Sequence, residues 1–290
     1  MGCPSRGSAV LVLFAVACAT PKERPSQTEE DTISRIRRTH AIRIGYRESS
    51  IPFSFLGTDG KPIGYSIDLC NRIVDGIEKE TGVPDLRTEW VKVNPDTRVD
   101  ALLNYAIDLE CGSTTITLSR QEQVDFSNLT FVDGASLLSR NDIKIHTIGD
   151  LSGKRIAVIP GTTTEALVRS AFAKAGMTSQ IMSVKDHGEG LAAVTSRQAD
   201  AYASDRAILL GLALTSSDPK IYAMVDRNLS YEPYGLMLRR DPRFRLAVNR
   251  QLARIYGSGN ILDLYGKWFG QFGEPTDLLI SMYKLYALPE

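Results

Sequence analysis

The sequence predicts an α/β protein with two lobes, each built on a mostly parallel sheet with helices on its faces. Segments typical of strands and of helices alternate twice along the chain, and two extended segments, 130–136 and 231–236, join the two occurrences. A domain that is inserted into another through two strands has a natural hinge and a cleft. We therefore expect one lobe to comprise 33–132 with 235–290 and the other to comprise 133–234.

The first lobe is predicted from apolar periodicity. A short helix, 33–39, leads into a strand, 41–46, in which apolar and polar side chains alternate. A turn at 58–61 closes a hairpin, and an amphipathic helix begins at Tyr65. The pattern then continues with strand 86–91, helix 95–104 and strand 107–111.

The second lobe repeats this order after a polar transition at 147–153. Strand 154–159 runs into a helix that ends near Ala175, and further strands are predicted at 181–184 and 199–203. The chain then returns to the first lobe through an extended segment and two helices, at 230–239, 242–256 and 260–269.

The stretch 110–127 carries the clearest functional signal. Ser113, Thr115 and neighbouring threonines offer hydroxyls and lightly covered backbone N–H groups, and Arg120 follows them. A guanidinium can hold a carboxylate through two parallel charge-assisted hydrogen bonds. The stretch therefore indicates a carboxylate site, although a Ser/Thr-rich turn before a solvated helix is the alternative.

Further anion-binding groups occur where strands or helix starts deliver residues to a crevice. Arg47 follows the first strand, at the end where open α/β sheets bind ligands. Arg98 lies in the first turn of a helix, where it is either solvated or balanced by an anion. The segment 161–165 places glycine and threonines at a helix start, which favours an anion, although threonine capping explains part of the pattern.

Charge and composition exclude several kinds of partner. The chain has 34 basic and 34 acidic residues, so neither nucleic acid nor an acidic membrane surface is indicated. Its three histidines are scattered and lack the spacing of metal ligands. We expect no metal and no cofactor.

The N-terminus resembles an export signal. Arg6 precedes an uncharged run, 9–19, that is too short to cross a bilayer but suits the apolar core of a secretory signal. Ala-Val-Ala before Cys18 resembles a lipobox, although an alanine stands where that pattern prefers leucine, and ordinary signal cleavage is the alternative. We expect 1–18 to be a signal peptide with lipidation at Cys18. The polar segment 19–32 is predicted to be a disordered tether.

Only two cysteines, Cys70 and Cys111, remain in the folded part of an exported chain. Such a pair can form a disulfide, but small buried thiols in one core are the more common outcome. The sequence therefore favours two free thiols.

Several motifs together resemble the periplasmic amino-acid-binding proteins of ABC uptake systems, and most of all the glutamate/aspartate-binding proteins. They are GYRESSIPFSF at Gly45, GYSIDL at Gly64, ECGSTTITLSRQEQVDFS at Glu110, GTTTE at Gly161, KDHG at Lys185 and YGLML at Tyr234. The resemblance implies the type II periplasmic-binding-protein fold, with no catalytic residues. It also implies a monomeric periplasmic protein that captures glutamate or aspartate between its lobes and delivers it to an ABC permease.

The resemblance also implies roles for the residues that would hold the amino-acid end of the ligand. In similar proteins, the residues that match Arg120, Ser113 and Thr115 hold the α-carboxylate. The helix start at Thr162 and Thr163 assists them. The aspartate that matches Asp205 accepts from the α-ammonium group.

The second carboxylate of the ligand distinguishes this group of proteins. Arg47, Arg98 and His187 match the positions that receive it, and we interpret them as three cationic side chains that only an anionic ligand side chain balances. Two positions depart from the close relatives: Pro95 replaces a serine and Ile116 replaces an asparagine. These departures leave the choice between glutamate and aspartate open.

Each assignment has a structural alternative. His187 can cap its helix, Arg47 can pair with Glu48 on the surface, and Asp205 can be the N-cap of the next helix. Two other functions also remain. One is a cyclohexadienyl-type dehydratase on the same scaffold, with Glu48 or Glu165 as general acid. The other is a ligand sensor that signals to a membrane partner.

Overall fold

The computed structural model describes residues 1–2, 30–178 and 180–290. The predicted signal peptide, Cys18 and most of the predicted tether lie outside the described residues. The end of the tether differs from the prediction, because Asp31 caps the first helix and Thr32 begins it. The Asp31 side chain accepts a hydrogen bond from the backbone N–H of Ser34, which stabilises this helix start. Among the described residues, no helix is both long and apolar enough to cross a bilayer.

Helices and strands alternate along residues 30–290. The helices are α1 (Thr32–Thr39), α2 (Tyr65–Thr81), α3 (Arg98–Leu103), α4 (Leu118–Gln121), α5 (Thr163–Ala175), α6 (His187–Thr195), α7 (Arg206–Thr215), α8 (Pro242–Gly257), α9 (Asn260–Phe269) and α10 (Asp277–Tyr286). The strands are β1 (Ala41–Tyr46), β2 (Ser49–Ser50), β3 (Ser54–Leu56), β4 (Pro62–Ile63), β5 (Arg87–Lys92), β6 (Leu109–Glu110), β7 (Asp125–Asp133), β8 (Ala135–Arg140), β9 (Arg155–Val158), β10 (Gln180–Ser183), β11 (Ala201–Asp205), β12 (Tyr222–Met224) and β13 (Glu232–Leu238).

The first sheet has the strand order β5-β1-β6-β13-β7. β1 pairs in parallel with β5 and β6, whereas β13 pairs antiparallel with β6 and β7. β7 and β13 contain the extended segments that the sequence predicted as connections. Parallel pairing is therefore less dominant than predicted, because the connecting segments themselves complete the sheet.

The second sheet has the strand order β10-β9-β11-β8-β12. β9 pairs in parallel with β10 and β11, whereas β8 pairs antiparallel with β11 and β12. Helices pack against each sheet, with α6 and α7 against the second. The predicted α/β class with two lobes is confirmed.

The chain crosses between the two sheets at adjacent points. β7 ends at Asp133 and β8 begins at Ala135, and Glu232 of β13 lies opposite Asp133 in the register of β7 and β13. Gly134 is required here, because a Cβ atom would lie 2.3 Å from the carbonyl oxygen of Ser230. The two crossings therefore lie side by side, as in a hinge.

An aromatic cluster forms the core of the first lobe. Phe53 is fully buried, and its ring packs against four other aromatic rings, those of Tyr65, Phe131, Tyr234 and Phe269. Phe55 packs edge-on against Trp268. Burying one such ring contributes about 2 to 3 kcal/mol to stability.

The two cysteines form a disulfide, so the expectation of two free thiols was wrong. The bond joins Cys70 of α2 to Cys111, which directly follows β6, and the two Cα atoms are 6.4 Å apart. Packing of α2 over the sheet brings together residues that are 41 positions apart in sequence, a distance that local sequence patterns do not report. The bond ties α2 to the start of the hydroxyl-rich stretch.

Candidate functional site

A cavity lies between the two lobes, and all nine ligand-binding residues that the sequence predicted line it. The first lobe contributes Arg47, Arg98, Ser113, Thr115 and Arg120, and the second lobe contributes Thr162, Thr163, His187 and Asp205. Four further residues complete the lining: Pro95, Thr164, Ser204 and Ile208. Ile116, the second departure from the close relatives, packs instead beside Gly235 of β13.

The hydroxyl-rich stretch is held in place by β13. The backbone N–H of Gly235 donates to Thr114 O at 3.1 Å, and that of Ile116 donates to Pro233 O at 2.7 Å. Thr117 then caps α4 by accepting a hydrogen bond from the Arg120 backbone N–H. The stretch is therefore an extended edge followed by one helical turn, which directs Arg120 towards the cavity.

Arg120 connects the two lobes. Its Nη1 donates to Thr115 O at 2.7 Å, and its Nη2 donates to Gly161 O of the second lobe at 3.2 Å. Burial, with the charge of Arg98, lowers the pKa of Arg120 to about 10, so the side chain stays cationic at pH 7. A guanidinium has five N–H donors. Donors therefore remain for a carboxylate in the cavity.

Arg47 and Arg98 are two buried cations that line the cavity. Arg47 follows β1 and is 4% exposed, and Arg98 begins α3 and is 3% exposed. Burial, with the charge of Arg98, lowers the pKa of Arg47 to about 10. Arg98 Nη1 donates to Thr114 Oγ1 at 2.6 Å. The surface pair of Arg47 with Glu48 is absent among the described contacts, since Glu48 pairs with Lys92.

His187 is neutral at pH 7, whereas the sequence interpretation treated it as a third cation. Burial, together with the charge of Arg47, lowers the pKa of His187 to about 3. Its Nδ1 lies 2.7 Å from the Tyr202 hydroxyl. Asp186, not His187, caps α6. The imidazole therefore contributes hydrogen bonding to the cavity and no positive charge.

Asp205 ends β11 and faces the hinge strands. Its carboxylate accepts hydrogen bonds from the Thr164 hydroxyl at 3.2 Å and from the Tyr234 hydroxyl. It occupies the N-cap position of α7 but makes no side-chain capping bond. Burial, with the charge of Glu232, raises the pKa of Asp205 to about 6. At pH 7 the group is largely an anion that can accept from an ammonium group.

The start of α5 lies across the cavity from the hydroxyl-rich stretch. Thr162 is the N-cap of α5 and accepts from the Glu165 backbone N–H at 3.1 Å, so the capping interpretation of this residue holds. Thr163 donates to Glu232 at 2.9 Å, and its hydroxyl lies 3.4 Å from that of Thr115 on the other lobe.

Sequence reasoning missed Glu110, which is fully buried on β6. Its Oε2 accepts from the Thr114 hydroxyl at 2.7 Å, so it is linked through Thr114 to Arg98. An acidic residue inside a strand of buried residues was the available signal, because such groups are rarely buried without a partner.

Residues 42–271 match the profile of the bacterial extracellular solute-binding proteins, family 3. The chain belongs to this family. It is 39% identical in sequence to the L-glutamate/L-aspartate-binding protein of Pseudomonas aeruginosa. The match covers 89% of this chain and 88% of that protein. It is 35% identical over 93% of its length to the glutamate/aspartate import solute-binding protein of Salmonella typhimurium, of which 90% is covered.

A solved structure with the same architecture is that of an ancestral amino-acid-binding protein, described as a precursor of cyclohexadienyl dehydratase. It superposes with a TM-score of 0.71 at 27% sequence identity. The match covers 82% of this family 3 chain and 99% of the ancestral protein. Both carboxylates considered above as a general acid make ion pairs. Glu48 pairs with Lys92, and Glu165 pairs with Arg169.

Proposed function

We propose that this chain is an extracytoplasmic binding protein that captures glutamate or aspartate between its lobes and delivers it to an ABC permease. The observation that carries the proposal is the convergence of three arginines and one aspartate on a single cavity between the lobes. The functions for which the two relatives are named, glutamate/aspartate binding and import, support the same ligand class.

The amino-acid end of the ligand is assigned to the centre of the cleft. Arg120 and the groups at Ser113 and Thr115 receive the α-carboxylate, together with the helix start at Thr162 and Thr163. Asp205 accepts from the α-ammonium group. These groups would hold any α-amino acid, so they give affinity but no preference for an acidic side chain.

The side-chain carboxylate is assigned to Arg47 and Arg98, with His187 as a neutral hydrogen-bonding partner. Two buried guanidinium groups in one cavity favour a negative charge, because buried charge must be compensated. The amide of glutamine fits the same space but supplies no charge. The site would therefore reject glutamine electrostatically and not by size.

Ligand binding is coupled to closure in this proposal. Contacts already connect the lobes across the cleft: His187 N donates to Ser49 Oγ at 3.2 Å, and Arg120 bonds Gly161 O. A ligand that touches both lobes stabilises this closed arrangement and no other. We propose that 33–132 with 235–290 and 133–234 are the two moving bodies.

The setting of the protein follows from the same proposal. We propose that 1–18 directs export, that Cys18 carries a lipid, and that the mature protein is a periplasmic monomer that performs no catalysis. A sensory role uses the same closure and differs only in the membrane partner. Mass spectrometry of the exported N-terminus tests the lipid anchor.

Isothermal titration tests the ligand class. The protein is freed of ligand by unfolding and refolding and is titrated with glutamate, aspartate, glutamine, asparagine and arginine. We expect tight binding of glutamate or aspartate and binding of the amides that is weaker by about 100-fold or more, as the loss of a charge-assisted contact requires. Tight binding of glutamine with no response to glutamate or aspartate would refute the assignment.

A further inference from the structure

Glu110 lies beside the cavity without lining it, and its environment is unusual. The side chain is fully buried, and Oε1 has no hydrogen-bond partner among the described residues. Oε2 is held by the Thr114 hydroxyl. A buried carboxylate oxygen without a partner costs free energy, so its retention calls for an explanation.

The carboxylate of Glu110 lies beside the Arg47 side chain and is linked to Arg98 through Thr114. A Cβ atom on Gly112 would lie 2.2 Å from Glu110 Oε1 and 3.2 Å from Arg47 Cγ, so a glycine here lets the carboxylate lie close to the Arg47 side chain. The Thr114 hydroxyl accepts from Arg98 and donates to Glu110. One buried anion therefore serves two buried cations.

We propose that Glu110 is the internal counter-ion of Arg47 and Arg98 and sets how strongly the site selects an acidic side chain. This inference rests on the proposed function. In the empty site, Glu110 offsets part of the charge of the two arginines. An incoming carboxylate then meets about one uncompensated positive charge in place of two. Glu110 therefore lowers the preference for glutamate over glutamine, and it also stabilises the ligand-free protein.

Thr114 gives Glu110 a second action as a positioning residue. The hydroxyl chain Arg98–Thr114–Glu110 fixes Arg98 Nη1 at 2.6 Å from Thr114 Oγ1. Glu110 touches neither end of the ligand in this scheme. It acts through the arginines, and its effect appears in selectivity between ligands of equal shape and different charge.

The test is Glu110→Gln, titrated with L-glutamate and L-glutamine. The amide keeps the shape of the side chain and an oxygen that can accept from Thr114, but it removes the charge. We expect the ratio of the glutamine Kd to the glutamate Kd to rise by about tenfold or more over the wild-type ratio, as one unit charge several ångströms away implies. The melting temperature of the ligand-free variant should fall.

Asp108→Asn is the matched control. Asp108 is also a fully buried carboxylate and directly precedes β6, but it pairs with Arg35, Arg43 and Arg239, which do not line the cavity. This variant should lose stability without a change in the Kd ratio. A shift of equal size in both variants would show a general effect of destabilisation and would overturn the proposal.

The outcomes are separable. A folded Glu110→Gln variant with the wild-type Kd ratio overturns the role of Glu110, whereas a wild-type protein that binds neither glutamate nor aspartate overturns the proposed function itself. If Glu110→Gln does not fold, Glu110→Met replaces it, since this change also removes the charge at similar side-chain length and adds no polar group that needs a partner. The ratio of the glutamine Kd to the glutamate Kd should again rise by about tenfold, and an unchanged ratio contradicts the proposal.

Discussion

Replacing Arg47 with methionine should weaken glutamate binding and stabilise the ligand-free protein at the same time. Methionine resembles the arginine stem in length but carries no charge, so it fills much of the space and leaves Glu110 and Arg98 to pair with each other. The two effects have one cause, because the cation that attracts the ligand carboxylate is the cation that burial disfavours.

The magnitude follows from the burial of Arg47. Its pKa is lowered to about 10 by burial and by the charge of Arg98. Each pKa unit is worth about 1.4 kcal/mol, so burial disfavours the cation by about 3 kcal/mol relative to a free arginine. Because the guanidinium is protonated in both the folded and the unfolded chain below pH 10, this cost is present in full at pH 7. Arg47→Met should remove most of it.

The loss in binding is of similar size. A charge-assisted hydrogen bond to a buried carboxylate contributes about 2 to 3 kcal/mol, which corresponds to a glutamate Kd that is about 30- to 150-fold higher in the variant. Glutamine binding should change by less than about threefold on the same scale, because its amide gains little from the charge.

Titration calorimetry and thermal unfolding of ligand-free protein measure the two effects. Arg43→Met is the matched control, since Arg43 lies on β1, four residues before Arg47, but pairs with Asp108 away from the cavity. It should leave both affinities unchanged. Equal losses for glutamate and glutamine in Arg47→Met, or a glutamate Kd like that of the wild type, would refute the reasoning.

Three further predictions concern Arg120, Asp205 and the disulfide. Arg120→Ala should weaken the binding of every amino acid, acidic or neutral, by about 100-fold or more, because it removes the partner of the α-carboxylate. Calorimetry with glutamate and glutamine checks this, and a loss of affinity confined to glutamate would contradict it. Glutamate affinity should fall about tenfold from pH 7 to pH 5, since the pKa of Asp205 is raised to about 6 and protonation removes the acceptor for the ammonium group; a flat profile would show that Asp205 does not hold it. Replacing both Cys70 and Cys111 with alanine should lower the free energy of unfolding by about 3 to 4 kcal/mol, because the disulfide closes a loop of 41 residues. Thermal unfolding measures this loss, and an unchanged melting temperature would contradict the prediction.

The parts of the fold that local periodicity controls could be predicted from the sequence. β1 and α9 occupy the predicted positions, 41–46 and 260–269, because alternating and helical apolar patterns are set by neighbouring residues. The strand predicted at 107–111 is shorter, only Leu109–Glu110. The residues after it are hydrogen-bonded to β13. That pairing depends on a segment more than 100 residues away, and no local pattern contains it.

The chemistry of the site also divides into what local sequence determines and what only the folded chain determines. Residue type and motif context were enough to name residues that converge on one cavity, such as Arg47 and Arg120. The charge of His187 was not predictable, because it depends on complete burial and on the proximity of Arg47, which only the folded chain provides. Glu110 was missed for a related reason. It opens one of the quoted motifs, but its burial and its contact with Thr114 exist only in the folded chain.

A crystal structure of the ligand-stripped protein soaked or grown with L-glutamate would show directly which arginine holds which carboxylate. We expect the side-chain carboxylate within hydrogen-bond distance of Arg47 and Arg98, the α-carboxylate in contact with Arg120, and the ammonium group in contact with Asp205. Glutamate bound in the opposite orientation, or outside the cavity between the lobes, would show that these roles are wrong.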